Sequence, residues 1–371
     1  MKTSRKLFFF ILFSIFLDIS STIISCYYTY ENPGIENVDA KLCTHYLLIG
    51  TTKIGPNGVL QLPNDTVSET FSRLKVKNPN AKLMLSVIAS NPHWSTLVSS
   101  PMFMLQFAND SVAHFRKFNL DGIDLDWEFP VWSWDAKKSD RFLLNNLLKT
   151  LRQAYGTQYL LSMATSGPPT ITRKAYDLPK LSKYCDFVNV MNYDFHVYSW
   201  TNPVVGFNAP LRPMSREYSI IGEMNSGSSM ETYSSLGLWL NKTVFGIPVY
   251  NLGFRLVNYY WSWPYAPAEG EVFDFSCYTD VCNLTSTKHG EVTYKEYWND
   301  KAASSYIVGT DKVWLTTENP LSVGIKAKYA KDIGCAGIML FQIVTDDWAG
   351  LCGKGKFPLI NAAKSAFMGE E

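Results

Sequence analysis

Four acidic residues lie close together in one short segment, Asp121-Gly-Ile-Asp124-Leu-Asp126-Trp-Glu128, in which the other residues are glycine or apolar. In a β-strand, successive side chains alternate between the two faces, so Asp124, Asp126 and Glu128 would share one face. Carboxyls this close cannot all ionise, because each negative charge raises the pKa of its neighbours. A carboxyl with a raised pKa is what general acid catalysis needs near neutral pH. The segment therefore predicts acid–base chemistry at a strand end.

Two other interpretations of this segment stay open. Acidic residues at a strand end also occur as the start of a solvated loop, although Ile123, Leu125 and Trp127 alternate with these carboxyls. Carboxylates also bind hard cations. However, no nearby His or Cys supports zinc, and the spaced oxygens of a calcium loop are absent from the segment. We predict no metal and no cofactor.

Eight short apolar runs alternate with amphipathic, helix-like segments along the chain. The alternation predicts a (β/α)8 barrel, in which the active site lies at the carboxyl ends of the strands. An open doubly wound sheet is the alternative, but no Gly-x-Gly-x-x-Gly motif or phosphate loop supports a nucleotide-binding fold. The predicted strands are residues 27–30, 45–49, 83–88, 122–126, 160–164, 187–193, 244–250 and 337–343.

The interval between the seventh and eighth runs is too long for a single crossover. Residues 251–316 are rich in Tyr, Trp, Pro and Gly and contain strand-like pieces at 271–275, 305–308 and 312–315. We therefore predict a small α+β lobe inserted between strands 7 and 8, over the carboxyl face of the barrel. The remainder of 26–371 is predicted to form one barrel domain.

The first 25 residues have the features of a secretory signal peptide. Lys2, Arg5 and Lys6 precede an apolar stretch at 7–17, and small and polar residues follow as far as Ser25. A membrane span needs ~20 apolar residues, so this stretch is too short to cross a bilayer. The sequence predicts a secreted, extracellular protein that is cleaved near Ser25 and has no membrane segment.

The charge balance argues against a polyanionic partner. The chain has 34 Lys and Arg against 33 Asp and Glu, and no basic run stands out downstream of the N-terminus, so we do not expect nucleic acid binding. Aromatic residues make up 15% of the chain. Surplus Trp and Tyr often line carbohydrate grooves, although burial in a core is their usual role. Candidate stacking platforms are Trp94, Trp132, Trp134, Trp200, Trp261 and Trp263.

The cysteines and sequons also fit an exported protein. All seven cysteines follow the predicted cleavage site, and disulfides are their expected use in an oxidising compartment. Because seven is odd, at least one cysteine has no partner within the chain. Asn-x-Ser/Thr triplets, which are acceptors for N-glycosylation, occur at Asn64, Asn109, Asn241 and Asn283.

Several segments together resemble glycoside hydrolase family 18, the chitinases and chitinase-like lectins. The acidic segment matches the family's Asp-x-x-Asp-x-Asp-x-Glu signature in full. Further matches follow in chain order over essentially the whole mature chain. They are Cys-Tyr-Tyr at 26–28, Met-Asn-Tyr-Asp-Phe-His at 191–196, Gly-Phe-Asn-Ala-Pro-Leu at 206–211, Gly-Ile-Pro-Val-Tyr at 246–250, Gly-Ile-Met-Leu-Phe at 337–341, Asp-Asp at 346–347 and Gly-Lys-Phe-Pro-Leu-Ile at 355–360.

The resemblance implies retaining hydrolysis of β-1,4-linked N-acetylglucosamine, with the 2-acetamido group of the substrate in place of an enzyme nucleophile. It implies that Glu128 is the acid/base, Asp126 orients the acetamide, Asp124 modulates protonation and Tyr193 hydrogen-bonds the acetamide carbonyl. The implied partner is chitin or chitooligosaccharides, bound by a monomer. The residues for which it implies substrate contact are Ser86, Asp121, Met191, Asp194, Tyr250 and Phe341.

The resemblance also implies two disulfides. The first pairs Cys26 with Cys43 and would join the first two strands. The second pairs Cys282 with Cys352 and would join the inserted lobe to the barrel. Cys185 and Cys335 lie in apolar segments and are expected to be buried free thiols. Cys277 has no evident partner.

The chain departs from the family pattern where the sugar is held. The family's Ser-x-Gly-Gly-Trp after the third strand is Ser86-Val-Ile88-Ala89-Ser here, and its Trp at the eighth strand is Phe341. Glycine at 88 and 89 would allow closer approach of sugar and backbone, and Phe offers less stacking area than Trp. These changes keep open a second function, that of a weak or inactive chitinase-like lectin that binds chitooligosaccharides.

Overall fold

The computed structural model describes residues 22–287 and 289–370. Most of the predicted signal peptide therefore lies outside the described residues. The described part of the chain forms fourteen strands: β1 (Ile23–Tyr28), β2 (His45–Ile54), β3 (Leu60–Gln61), β4 (Lys82–Ile88), β5 (Gly122–Asp126), β6 (Leu160–Ser166), β7 (Phe187–Met191), β8 (Thr243–Pro248), β9 (Leu252–Leu256), β10 (Ala268–Val272), β11 (Tyr294–Asn299), β12 (Ser304–Gly309), β13 (Val313–Thr317) and β14 (Gly337–Phe341).

Eleven α-helices occur in the same part of the chain. The longer ones follow barrel strands and cover the outside of the sheet. Their bounds are α1 (Asp65–Lys77), α2 (Asn91–Val98), α3 (Pro101–Phe118), α4 (Asp140–Tyr155), α5 (Pro169–Ala175), α6 (Leu178–Tyr184), α7 (Ser219–Gly222), α8 (Ser226–Ser235), α9 (Tyr278–Val281), α10 (Pro320–Asp332) and α11 (Pro358–Met368).

Eight parallel strands form a closed barrel. Their order is β1-β14-β8-β7-β6-β5-β4-β2, and pairing of β1 with β2 closes the ring. The prediction of a (β/α)8 barrel is therefore confirmed, and the open-sheet alternative is excluded. The predicted strands coincide with these eight to within a few residues, except that β1 begins four residues earlier and β2 runs five residues longer.

The first and last barrel strands are in close contact. Ile23 pairs with Gly337, and a β-carbon added at Gly337 would lie 1.8 Å from the Ile23 carbonyl oxygen. Only glycine fits there. Because Ile23, Ile24 and Ser25 all pair with β14, the predicted cleavage near Ser25 falls within β1.

The barrel strands alternate between two buried layers. Cys26 and Tyr28 face the helices and belong to the outer core, whereas Tyr27 faces the barrel interior. The interior packs apolar side chains such as Leu47 and Met339 together with buried polar ones around Asp124. A filled barrel interior positions the strand ends rigidly, so side chains at the carboxyl ends have little freedom to move.

The predicted insertion between the seventh and eighth barrel strands is a separate small sheet. Strands β9–β13 form it in the antiparallel order β10-β9-β13-β12-β11, with a core that includes Phe254, Leu256, Val308 and Trp314. The sequence predicted three strands near β10, β12 and β13, shifted by up to three residues, and missed β9 and β11. The boundaries 251–316 stay a prediction.

Both disulfides implied by the family resemblance occur in the structure. Cys26 bonds to Cys43, and Cys282 in the lobe bonds to Cys352 after β14. Cys185 and Cys335 are buried free thiols, and Cys277 is a half-buried one. Within residues 22–287 and 289–370, none of the helices is long and apolar enough to cross a membrane.

Candidate functional site

A cavity of about 540 Å³ opens at the carboxyl end of the barrel. Glu128, two residues after the end of β5, reaches it from one side, and Asp126 forms part of its floor. This is the end of the barrel at which such folds bind substrates. The cavity is lined by Tyr27, Ile49, Ile88, Asp126, Glu128, Met191, Tyr193, Asp194, Val197, Tyr250, Leu252, Ser276, Phe341, Gln342 and Thr345.

Asp124 lies in the barrel interior beneath this cavity and is completely buried. Its two oxygens accept four hydrogen bonds, from the side chains of four other strands. The donors are Tyr27 (2.8 Å), Ser86 (3.0 Å), Ser162 (2.6 Å) and Asn189 (3.3 Å). Burial raises the pKa of Asp124, while these donors lower it in part by stabilising the carboxylate.

Asp126 and Glu128 act as a pair. Burial raises the pKa of Asp126 well above its ordinary value, and the negative charges of Glu128 and Asp124 raise it further. The Asp126 carboxyl donates a hydrogen bond to Glu128, which stabilises the Glu128 carboxylate. The Glu128 side chain is open to the cavity, but the surrounding protein and the charge of Asp194 still raise its pKa. The pair therefore holds a proton at pH values where isolated carboxyls have lost theirs.

Tyr193, Asp194 and Tyr250 form the opposite wall. The Tyr250 hydroxyl donates to Asp194 Oδ1 at 2.5 Å, and the Asn208 side chain holds the Asp194 backbone N–H at 2.8 Å. Asp194 has a left-handed backbone with φ of 55°, which this hydrogen bond fixes. Burial and neighbouring carboxylates raise the pKa of Tyr193 and of Tyr250 well above the ordinary value, so both phenols remain protonated donors.

An aromatic cluster lines the cavity beside the carboxyls. The Phe341 ring lies 5.3 Å from that of Tyr27, 5.8 Å from that of Tyr193 and 6.1 Å from that of Tyr250. Such clusters present flat apolar surface to a ligand while the tyrosine hydroxyls supply hydrogen bonds. The cavity therefore combines a proton donor, phenol donors and an apolar floor, which suits an uncharged ligand with both polar and apolar faces.

Two residues for which we predicted substrate contact do not line the cavity. Asp121 precedes β5 at the opposite, amino-terminal end of the barrel. There it forms an ion pair with Lys75 (2.8 Å) and accepts the Leu83 backbone N–H (2.7 Å). Ser86 is fully buried and hydrogen-bonds to Asp124 below the cavity. The expectation is corrected for both residues. Asp121 precedes β5, so it lies at the end of the barrel away from the cavity, and Ser86 lies too deep inside the barrel to line it.

The sequence also missed residues that line the cavity or support its carboxyls. Ser162 on β6 and Asn189 on β7 donate hydrogen bonds to Asp124. In the sequence, only their alternation with outward-facing residues indicates that their side chains point into the barrel. Ile49 at β2 was also missed, and it lines the cavity together with Ile88 at β4, which the sequence had already placed where the sugar is held. The remaining missed residues lie in loops, at the start of β9 or in the short 3-10 helix after β14, where the spacing rules used above do not apply; they are Val197, Leu252, Ser276, Gln342 and Thr345.

The tryptophan candidates divide into buried and exposed residues. Trp94 is fully buried and stacks on Trp127 with ring centroids 5.2 Å apart, so it is a core residue and not a platform. The exposed candidates, with their exposed fractions, are Trp132 (42%), Trp134 (96%), Trp200 (91%), Trp261 (47%) and Trp263 (57%).

His196 stabilises the loop that follows it, through a hydrogen-bond contact of 2.8 Å between its Nε2 and the Val204 carbonyl oxygen.

A family model described as glycosyl hydrolases family 18 matches residues 23–346. The chain is 28% identical to the endochitinase of Brugia malayi over 404 aligned positions, which cover 100% of this chain and 77% of that protein. It is 27% identical over 370 positions to chitinase-3-like protein 2 of Homo sapiens, with 91% of each protein covered.

Solved structures show the same likeness. A Group IV chitinase of Ostrinia furnacalis superimposes with a TM-score of 0.86 at 28% identity, covering 94% of this chain and 100% of that one. The structure of that chitinase in complex with allosamidin superimposes with the same score at 27% identity. The barrel and its inserted lobe are therefore arranged as in these chitinases.

Proposed function

The chain belongs to the glycosyl hydrolases of family 18, and on this basis we propose that it is a secreted chitinase-type glycosidase. Its substrate is a polymer or oligomer of β-1,4-linked N-acetylglucosamine, and hydrolysis retains the anomeric configuration with help from the substrate. The observation that carries the proposal is the Asp126–Glu128 pair, two neighbouring carboxyls that line a cavity of about 540 Å³ and whose pKa values are raised by burial.

In the first step, Glu128 gives its proton to the glycosidic oxygen. The carbonyl oxygen of the 2-acetamido group attacks the anomeric carbon of the same sugar as the bond from that carbon to the leaving oxygen breaks. The bonding electrons leave with the protonated oxygen, and an oxazolinium ion forms. The raised pKa of Glu128 supports its role as donor, since an ordinary glutamate is already ionised near neutral pH.

Asp126 and Tyr193 hold the acetamide during this step. Asp126 first passes the shared proton to Glu128, which delivers it to the glycosidic oxygen. The Asp126 carboxylate left behind accepts the acetamide N–H and stabilises the positive charge that develops there. Tyr193 donates its hydroxyl hydrogen to the acetamide oxygen, a role supported by its raised pKa. Asp194, hydrogen-bonded to Tyr250, and Met191 line the same part of the cavity. Fixed donors and acceptors of this kind stabilise a charged transition state without reorganisation.

In the second step, the Glu128 carboxylate takes a proton from water. The oxygen of that water attacks the anomeric carbon and opens the oxazolinium ring, which restores the acetamide and the protonated Glu128. Asp124 contributes from below: burial and the charge of Glu128 raise the pKa of Asp126, and the Asp124 carboxylate raises it further, which favours a shared proton on the pair. No metal enters this scheme. Within the described residues, no group of three or more His, Cys, Asp or Glu is placed to hold one.

We further propose that the protein is exported, glycosylated and monomeric. The basic and apolar segment before Ser25 and the two disulfides support export. All four acceptor asparagines, Asn64, Asn109, Asn241 and Asn283, are exposed, so each is accessible to the glycosylation machinery.

The test is hydrolysis of fluorogenic chitobioside and chitotrioside by the secreted protein and by Glu128→Gln. We expect the variant to lose turnover by a factor of about 10²–10⁴, the usual contribution of a general acid. Its affinity for chitooligosaccharides, measured by calorimetry, should stay within a few-fold of that of the unchanged protein. The matched control is Glu69→Gln, an exposed glutamate on α1. Equal turnover by both variants would contradict the role of Glu128.

The second candidate function is that of a lectin for chitooligosaccharides. Ile49 and Ile88 line the cavity beside the carboxyls, and Phe341 stands where family members usually have Trp. A sugar displaced by these side chains would bind without correct alignment to Glu128, and small displacements are costly to catalysis. Oligosaccharide binding without any turnover by the unchanged protein would favour the lectin. Turnover that depends on Glu128 would exclude it.

A further inference from the structure

A second groove, which we call the lobe groove, lies on the inserted sheet. Three segments line it, residues 214–217 after β7, 263–265 between β9 and β10, and 298–301 from the end of β11 to the next turn. Its volume is about 650 Å³, larger than that of the catalytic cavity, and the two share no lining residue. The groove is therefore a separate candidate binding site.

Two tryptophans dominate the lobe groove. The side chains of Trp263 and Trp298 are 57% and 36% exposed, although large aromatic side chains are normally buried in a soluble protein. Pro264 and Tyr265 add further apolar surface beside them. Exposed apolar surface grouped within one groove marks a site of interaction more often than scattered single residues do.

Hydrogen bonds hold the walls of the lobe groove to one another. Glu217 links two segments, since one of its oxygens accepts the Tyr265 hydroxyl (2.5 Å) and the other accepts the Met214 backbone N–H (2.7 Å). Asp300 accepts the Trp298 indole N–H at 2.7 Å and so fixes that ring. A groove built this way loses little conformational entropy when a ligand binds.

The backbone beside these side chains is held in an unusual conformation. Arg216 and Tyr265 have φ values of 81° and 72°, in the left-handed region that non-glycine residues rarely adopt. Such residues persist only where the surrounding structure fixes them, and they cluster at binding sites. The Arg216 side chain is exposed and lines the groove, so its guanidinium is available as a hydrogen-bond donor.

The charges of the lobe groove balance. Arg216 and Lys301 are cationic, and Glu217 and Asp300 are anionic, so the lining has no net charge. A nucleic acid, an acidic glycan or a strongly charged peptide would gain little there. A neutral ligand with flat apolar faces and polar edges fits better, because indole rings pack against apolar faces while charged groups hydrogen-bond to hydroxyls and amides.

We propose that the lobe groove binds a chain of β-1,4-linked N-acetylglucosamine, as a second site for the polymer on which the catalytic cavity acts. The identity of the sugar rests on the proposed function, and the presence of a second site rests on the groove itself. Two sites on one molecule raise the affinity for a long polymer far more than for a short oligomer. The groove therefore affects binding to insoluble chitin and not the hydrolysis of short soluble substrates.

The experiment measures two properties of Trp263→Ala and Trp298→Ala. The first is the dissociation constant for insoluble chitin, measured in a Glu128→Gln background so that the polymer stays intact. We expect about a tenfold loss for each variant, the size typical of truncating a central aromatic side chain. The second is hydrolysis of fluorogenic chitotrioside with Glu128 present, which we expect to stay within twofold of the unchanged protein.

The matched control is Trp239→Ala, since Trp239 is 60% exposed, lines neither cavity and is not among the candidate stacking platforms. Trp263→Phe and Trp298→Phe should bind chitin more tightly than the Ala variants, because Phe keeps an aromatic surface for the sugar. This result would show that the Ala variants lose affinity through loss of the aromatic ring and not through misfolding. Unchanged chitin binding by both Ala variants would overturn the proposal. It would also be overturned if these variants dissociated a dimer of the unchanged protein, because the groove would then join two copies of the chain.

The two proposals fail in different ways. Absence of chitotrioside hydrolysis by the unchanged protein would count against the glycosidase and leave the binding measurement valid. If the tryptophan variants then weakened chitin binding, the lobe groove would be supported as a binding site and the protein would be a lectin. Hydrolysis that depends on Glu128, together with chitin binding that does not depend on Trp263 or Trp298, would retain the glycosidase and reject the second site.

Discussion

Asp126 is a buried carboxyl, and its Oδ1 has no hydrogen-bond partner within the described residues. Its raised pKa means that the folded protein keeps this proton to a higher pH than the unfolded chain, whose aspartates titrate near 3.9. As pH rises above that value, the unfolded state releases the proton first, so the free energy of unfolding falls. The site therefore costs stability at neutral pH.

Asp126→Asn should reverse this cost. The Asn side chain cannot ionise and still donates a hydrogen bond to Glu128, so we expect a gain of about 1 kcal/mol in unfolding free energy at pH 7, together with a large loss of turnover. The gain should disappear below about pH 3, where Asp126 of the unchanged protein is protonated in both states. Denaturant unfolding at the two pH values measures it. A variant that is less stable than the unchanged protein at pH 7 would contradict the assignment.

Asp194 sets the pH range of the proposed reaction through Glu128. The cavity walls raise the pKa of Glu128, and the negative charge of Asp194 raises it further. Asp194→Asn removes that charge, so Glu128 should lose its proton at a lower pH. We expect the alkaline limb of the kcat/KM profile to move to lower pH, because the acid form of the free enzyme disappears earlier.

This profile should be recorded beside Asp332→Asn, which changes the same kind of charge at an exposed position on α10. The control variant should keep the profile of the unchanged protein. A profile of Asp194→Asn that moved to higher pH, or did not move, would show that Asp194 does not act on Glu128 through its charge.

Among the structural elements, β1 places a constraint on processing of the chain. Its first three residues, Ile23–Ser25, pair with β14, and the Ile23 backbone N–H donates to the Ala336 carbonyl at 3.1 Å. Cleavage after Ser25 would remove half of the strand and these hydrogen bonds. We therefore expect the secreted protein to begin at or before Ile23, slightly ahead of the site that the sequence pattern favours. Mass spectrometry of the N-terminal peptide checks this, and a chain that starts at Cys26 would contradict it.

The barrel strands were predictable from sequence because both of their faces are buried. Runs such as Gly337–Phe341 are short and apolar, which makes their type and position clear. Strand β11 (Tyr294–Asn299) is at the edge of the lobe sheet and mostly faces solvent, so it lacks an apolar run. Strand β9 follows β8 after only three residues, and its five residues include Gly253 and Arg255, so no separate apolar run marks it.

The candidate site was predictable in part. Period-two alternation put Asp124, Asp126 and Glu128 on one face, and two of them line the cavity with the third directly beneath. The partners of Asp124 were not predictable, because Tyr27 is 97 residues away along the chain and Asn189 is 65 away. Such contacts depend on the register of the closed barrel, which no local pattern encodes.

For the molecule as a whole, two disulfides of different span constrain the unfolded chain. Cys26 and Cys43 are 17 residues apart and join neighbouring strands, whereas Cys282 and Cys352 are 70 apart and join the lobe to the barrel. In the chain-entropy model these loops contribute about 3 and about 4 kcal/mol to the unfolding free energy. We expect Cys282→Ala/Cys352→Ala to lose more stability than Cys26→Ala/Cys43→Ala in denaturant unfolding.

The control for these variants is Cys277→Ala, which removes a half-buried free thiol from the lobe. It should change the unfolding free energy by less than about 1 kcal/mol. If the shorter loop proved more important than the longer one, strain or residual structure in the unfolded chain would outweigh loop entropy.

The pairing of β1 with β14 also has a consequence for the order of synthesis. The strand translated first completes its hydrogen bonds only with the strand translated last, since Ile23 pairs with Gly337. At the usual 5–20 residues per second, about 15–60 s separate the two on the ribosome. During that interval β1 has an open edge, which is a template for pairing with other nascent chains. We therefore expect chaperones that cover the N-terminal strand during synthesis to raise the yield of folded protein.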